Sequence, residues 1–155
     1  GWRLLSDEMA LISLQELEIQ PIPRPVSLKN KSIQIIKNFA PDAVIGQIIP
    51  NTTKGNISHM LAPEESVLRQ HDRAKLNYII FPKYNEKSKT ILSNKPAAQA
   101  CMSVIANTFN FNILGEQGFE AVSDIINNTD CFDFTYPDLN EAIVKLEALI
   151  NPVEK

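Results

Sequence analysis

Glycine is scarce. The five glycines of the 155-residue chain, at 1, 46, 55, 115 and 118, are scattered, and none is followed by lysine. The phosphate-binding loop G-x-x-x-x-G-K-S/T is therefore absent from it. Metal-ligating residues are equally thin: His59, His71, Cys101 and Cys131 stand alone, without the spacing of a zinc site. Both cysteines lie in apolar surroundings and read as buried free thiols of a reducing compartment. No G-x-S-x-G motif and no local signature of a catalytic thiol is present, which argues against nucleophilic triads. No run of about 18 apolar residues occurs, and no basic-then-apolar leader opens the chain. The expectation is a cytoplasmic protein without membrane insertion. Fifteen Lys and Arg against 18 Asp and Glu leave a net charge of −3, and the cations form no concentrated patch, so nucleic acid is not an expected partner. Lys83, Lys87 and Lys89, the nearest approach to a cluster, read as a solvated hairpin.

The length suits one domain, residues 1–155, long enough to bury a core. Trp2 to Leu5 are apolar from the first residues, as in a strand already under way. This leads to the expectation of a fragment of a larger domain. Ser6-Asp7-Glu8 follows, with Met9 to Ile12 apolar behind it. Two short buried strands meeting at an acidic tip are expected here. Carboxylates among buried strands need a partner, either a metal ion or a cation from elsewhere in the chain. The same three residues also suit a solvated turn.

Further along, Leu17, Ile19 and Ile22 alternate with polar residues until Pro21, Pro23 and Pro25 interrupt, which predicts an edge strand or extended segment. Arg24 is held between two prolines that stiffen its backbone. A short helix is expected over Ser32–Phe39, stopped by Pro41. Residues 43–61 suggest a hairpin turning at Gly55. His59, between Ile57 and Leu61, reads more naturally as a hydrogen-bonded core residue than as a ligand. Pro63 to Arg73 is a polar short helix or loop. Tyr78-Ile79-Ile80-Phe81 is the strongest strand and is expected at the centre of a sheet, with Thr90-Ile91-Leu92 as its hairpin partner. Helices follow from Pro96 (Ala98, Cys101, Met102, Ile105, Ala106, Phe109) and after Gly115 (Phe119, Val122, Ile125, Ile126). Phe132, Phe134 and Tyr136 alternate as a strand, and Asp138 with Glu141 forms a capping box for a last helix. The order predicts an α/β (α+β) fold with an antiparallel or mixed sheet and helices concentrated in the C-terminal third.

What remains for chemistry is a set of charges: Asp7 and Glu8 on the tip, Arg24 and Lys29 on the proline-stiffened stretch, and Arg69 in the polar segment. Carboxylates that hold magnesium and cations that neutralise phosphate oxygens are the equipment of phosphoryl transfer. Arg24 and Lys29 are otherwise ordinary surface cations.

Leu4-Leu5-Ser6-Asp7-Glu8-Met9-Ala10-Leu11 and Pro23-Arg24-Pro25-Val26-Ser27-Leu28-Lys29-Asn30 resemble the HPr-kinase-related proteins, specifically the HprK-related kinase A group. So, in the same order, do Glu65-Ser66-Val67-Leu68-Arg69, Ile80-Phe81-Pro82-Lys83-Tyr84, Asn107-Thr108-Phe109-Asn110, Leu114-Gly115-Glu116-Gln117-Gly118-Phe119 and Tyr136-Pro137-Asp138-Leu139. The resemblance implies the C-terminal part of an HPr kinase/phosphoenolpyruvate carboxykinase-like P-loop kinase fold that binds ATP and magnesium. In that family an acidic pair forms a Walker-B-like site, which maps onto Asp7 for the metal and Glu8 for support of the metal or the attacking hydroxyl. HPr kinases carry two aspartates there, so Glu8 is a departure. Arg24, Lys29 and Arg69 are the matching candidates for phosphate or substrate contact. The implied function is phosphotransfer to a hydroxyl acceptor, with a protein acceptor and self-association into a homo-oligomer as the partners it allows. The larger departure is the missing phosphate loop, which the family carries ahead of this stretch, so this chain alone is expected to be inactive. The alternatives are a non-catalytic binding or assembly module of kinase-like fold, associated with exopolysaccharide systems, and a small-molecule kinase or carboxykinase.

Overall fold

A computed structural model describes residues 2–151. The chain divides into two compact units, Gly1–Lys75 and Leu76–Lys155. The first carries β1 (Leu11–Ile12), β2 (Glu18–Gln20), β3 (Val26–Lys29), α1 (Lys31–Phe39), β4 (Ile49–Thr52), β5 (Gly55–Met60), α2 (Glu64–Leu68) and β6 (Ala74–Lys75). The second carries β7 (Tyr78–Tyr84), β8 (Ile91–Asn94), α3 (Ala97–Ala106), α4 (Phe111–Leu114), α5 (Glu116–Asn127), β9 (Asp130–Tyr136) and α6 (Leu139–Ile150). The described residues thus form a mixed α/β structure with three small sheets, two antiparallel and one mixed.

In the first unit, β2 is the middle strand of β1-β2-β6, with Ile19 paired to both Ile12 and Ala74. It is not the edge strand that the prolines suggested. Pro21 falls one residue past the end of β2, so it ends the strand without removing a ladder donor. The second sheet, β3-β5-β4, contains the expected hairpin. Gly55 turns it with φ 87°, and a Cβ at that position would collide with the Asn30 side-chain amide. That amide is fixed because its Oδ1 accepts from the Asn56 N–H at 3.0 Å while the Asn30 N–H donates to the Asn56 carbonyl at 2.9 Å. Helix α1 forms where periodicity placed it, burying Ile33 and leaving Ile35 and Phe39 exposed.

The second unit corrects two expectations at once. Its strand order is β7-β9-β8, with β9 parallel to β7 and antiparallel to β8. Tyr78–Phe81 is therefore at an edge, and β8 is not its partner. Strand β9 takes the centre because both its faces are apolar: Cys131 faces the cluster of Ala100, Val122 and Ile126, while Phe134, three positions on and so on the opposite face, is only 2% exposed. Burial of a phenylalanine to that degree contributes about 2 kcal/mol. Strand β7 contains Pro82, which lacks an N–H and is tolerated on an edge. Ile79 and Phe81 of β7, Cys101, Val104 and Ile105 of α3, and Phe111 of α4 complete the cluster. Met102, Phe109 and Phe119, expected inside, are exposed, and Phe109 lies beyond the end of α3. Cys131 is buried, Cys101 is half-buried, and both are free. Asp138 caps α6 by accepting from the Asn140 and Glu141 N–H groups at 2.9 and 3.2 Å. The other half of the capping box is not made, since the Glu141 carboxylate accepts instead from the Thr90 hydroxyl. No described helix is long and apolar enough to cross a membrane.

Candidate functional site

The five candidate residues all belong to the first unit, and the segment that carries Asp7 and Glu8 organises them. Leu4–Leu5 and Met9–Ala10 are not strands; only Leu11–Ile12 is, and Met9, Leu11, Asp7 and Glu8 are all exposed. The acidic tip is a bend in which the Ser6 hydroxyl accepts from the Met9 N–H at 3.3 Å, the turn chemistry of a short polar side chain. With both carboxylates in solvent, no metal or cation is required to offset burial.

Asp7 nonetheless has a specific partner. Its Oδ2 accepts from the Ser27 N–H at 2.9 Å. Ser27 pairs with His59 across β3 and β5, and the His59 carbonyl is taken on the far side of β5 by the Gly46 N–H at 2.9 Å. Ser27 and His59 therefore form a non-hydrogen-bonded pair, and the Ser27 N–H points away from β5 to the free edge of β3. Asp7 fills that edge position with a charge-assisted hydrogen bond. His59 is exposed rather than part of the core, because it lies on the solvent side of a thin sheet.

This bond places the acidic tip beside the stretch that runs from Arg24 to Lys29. Arg24 lies outside any helix or strand and Lys29 at the end of β3; both are exposed, and neither side chain has a polar partner among the described residues. Arg69 is different. Its Nε donates to Asp72 Oδ2 at 2.8 Å and its Nη1 to Glu65 Oε1 at 3.2 Å. The Arg69 guanidinium hydrogen bond holds the Asp72 carboxyl below the usual aspartate range. Arg69 is thus already neutralised by the protein, while Arg24 and Lys29 are free cations.

Two residues that sequence reasoning passed over tie these pieces together. Arg3 donates from Nη1 to the Arg69 carbonyl at 3.1 Å and from Nη2 to the Asp72 carbonyl at 2.8 Å. Ser66, only 2% exposed, accepts the Leu4 N–H on its hydroxyl at 3.0 Å. The signals were a cation inside an apolar run and a serine in a helix otherwise rich in charge.

Magnesium takes one or two protein carboxylates and keeps waters and phosphate oxygens for the rest. The donors the tip offers toward that demand are the exposed Asp7 Oδ1 and Glu8 carboxylate. Among the described residues no group of three His, Cys, Asp or Glu could cage a metal ion. The triphosphate of ATP fares worse, since the chain holds neither loop amides nor a loop lysine to cradle it.

Among its described residues the second unit has one ion pair, which is half-buried. Lys95 Nζ lies 2.8 Å from Asp133 Oδ1 and 4.8 Å from the centre of the Phe81 ring, with the lysine side chain 12% exposed. It borders an open cleft of about 200 Å³ that Thr129 and Cys131 also line. A neighbouring cleft of about 380 Å³ is lined by Asn77, Tyr78 and residues 127–130. The Asn128 amide and Thr129 hydroxyl there are spent on carbonyls of α5, each at 2.8 Å. Comparison of the chain with family models, with curated proteins and with solved structures found no match.

Proposed function

We propose that this chain is the C-terminal part of an HPr-kinase-related phosphotransferase that uses ATP and magnesium to phosphorylate a hydroxyl, with a protein as acceptor. The observation that carries the reading is the hydrogen bond from the Ser27 N–H to Asp7 Oδ2. It joins two of the strings that carry the family resemblance, the acidic tip and the Pro-Arg-Pro-Val-Ser-Leu-Lys-Asn stretch, the most specific of them. In this reading Asp7 keeps Oδ1 for the metal, and Glu8 supports the metal or accepts the proton of the attacking hydroxyl. Arg24 and Lys29 supply positive charge toward phosphate oxygens. Magnesium, when bound, would neutralise the charge that develops on the transferred group. This reading requires a phosphate cradle that the chain itself does not contain.

The test is magnesium-dependent ATP binding by the full reading frame. A frame that holds G-x-x-x-x-G-K-S/T, and in which Asp7→Ala weakens MgATP binding about tenfold or more by calorimetry, sustains the reading. An intact loop with unchanged binding in Asp7→Ala, or a degenerate loop, defeats it. The engagement of Arg69 by two carboxylates favours a second reading, a binding or assembly module of kinase-like fold without chemistry. A degenerate loop would select it.

A further inference from the structure

We propose that Arg3 is a positioning residue for the acidic tip, acting with Ser66 as a lock on the segment that carries Asp7 and Glu8; the functional part of this inference rests on the phosphotransferase reading above. Residues 3–8 are not held by a strand ladder. Among the described residues, backbone–backbone hydrogen bonding of this segment to the rest of the unit is reduced to one contact, the Ile22 N–H donating to the Leu5 carbonyl at 2.7 Å. Every other fastening involves a side chain: Arg3 on the carbonyls of Arg69 and Asp72, Ser66 on the Leu4 N–H, Asp7 on the Ser27 N–H. The Arg3 guanidinium is the fixed end. Its side chain is 17% exposed and lies 3.8 Å from Asp72 Oδ2 as well. Its two targets are backbone carbonyls of a turn that is itself braced, because the Arg69 side chain bridges Glu65 and Asp72.

A planar fork that bonds two carbonyls fixes direction as well as distance, which a lysine ammonium would not. With Arg3 seated and Leu4 pinned on the buried Ser66 hydroxyl, only Leu5 and Ser6 separate that anchor from Asp7, and its carboxylate arrives at the free edge of β3. The ion pairs of Arg69 thereby acquire a purpose other than phosphate contact: they stiffen the turn on which Arg3 is anchored.

The experiment uses the 155-residue chain with isotope labelling and two readouts. Hydrogen exchange at the Ser27 amide reports whether Asp7 is seated; paramagnetic broadening by Mn²⁺ at the Asp7 and Glu8 amides reports metal binding at the tip. Arg3→Gln is expected to speed Ser27 exchange about tenfold, with weaker Mn²⁺ broadening. Ser66→Ala should act in the same direction, and Arg3→Lys should restore part of the loss. Amides of α3 and α5, in the other unit, serve as the control and should exchange as in the wild type. Unchanged Ser27 exchange in both Arg3→Gln and Ser66→Ala overturns the lock, as does a loss of protection throughout the first unit, which marks Arg3 as a general stability residue. If Mn²⁺ leaves the wild-type tip unbroadened, the metal reading of Asp7 and Glu8 fails, while Ser27 exchange still decides the lock.

Discussion

Asp72 shows how much a single exposed carboxylate is asked to do. It receives the Arg69 Nε hydrogen bond, stands near Arg3, and lends its backbone carbonyl to the Arg3 fork. The Arg69 hydrogen bond is the largest cause that lowers its carboxyl below the ordinary value of 3.8, with the charges of Arg69, Arg3 and His71 adding to it. A carboxyl lowered in the folded state stabilises that state above its unfolded value, and the contribution is lost as pH falls through the lowered one. The first unit should therefore loosen around residues 65–72 in acid below 3.8. The measurement is the carboxyl carbon shift of Asp72: a midpoint below the ordinary value in the wild type, returning toward it in Arg69→Met. A midpoint unmoved by that substitution would show that Arg69 is not the cause. At this scale the sequence read unevenly. Asp7 was visible because charge after an apolar run is unusual, whereas Arg69 looked like a free cation because its partners, Glu65 and Asp72, are equally ordinary on the page. Arg3 escaped notice since its targets are carbonyls, which no side-chain pattern reveals.

Elements whose causes are local were legible. The capping function of Asp138, the turn at Gly55 and the stop of α1 before Pro41 each depend on residues within a few positions of one another. Asp138→Ala removes two hydrogen bonds at the start of α6 and should cost about 1 kcal/mol. In hydrogen exchange, the amides of the first turn of α6 should then open roughly fivefold more often, with Asp138→Asn near wild type. An Asp138→Ala variant indistinguishable from wild type there would mean that the Thr90–Glu141 contact alone holds the helix start. The order of the second sheet was not legible, because strand pairing is decided over long separations by which strand is apolar on both faces. The one local clue was Pro82, which argued for an edge against the apolar continuity that argued for a centre. The stripes of α3 and α5 were likewise read one residue type too greedily: Met102 and Phe119 are apolar and correctly spaced, yet neighbouring Ala100 and Gly118 are the residues that let the helices approach their surroundings.

For the molecule as a whole, composition bears on the hold this chain can have on a triphosphate. It has no glycine-rich phosphate loop, and among the described residues the cations beside the acidic tip without an ion-pair partner are Arg24 and Lys29. Calorimetry of the 155-residue chain with ATP and magnesium should accordingly show no micromolar binding, since loop amides and lysine supply most of the hold on a triphosphate. A micromolar dissociation constant would require a phosphate site unlike the one the family resemblance implies. The mixed α/β class with helices gathered late was readable from element order alone.

The strand order β7-β9-β8 also has a consequence for synthesis. Strands β7 and β8 leave the ribosome first, and neither has the other as a hydrogen-bonding neighbour. Both must wait through α3, α4 and α5 until Asp130–Tyr136 emerges to separate and join them. During that interval Tyr78–Phe81, the most apolar run in the unit, is made but unpaired, and a hairpin with Ile91–Asn94 is the obvious wrong partner. Completing the sheet then means inserting a strand between two that are already present, which makes β9, the last of these three to be translated, the one on which the order of the other two depends.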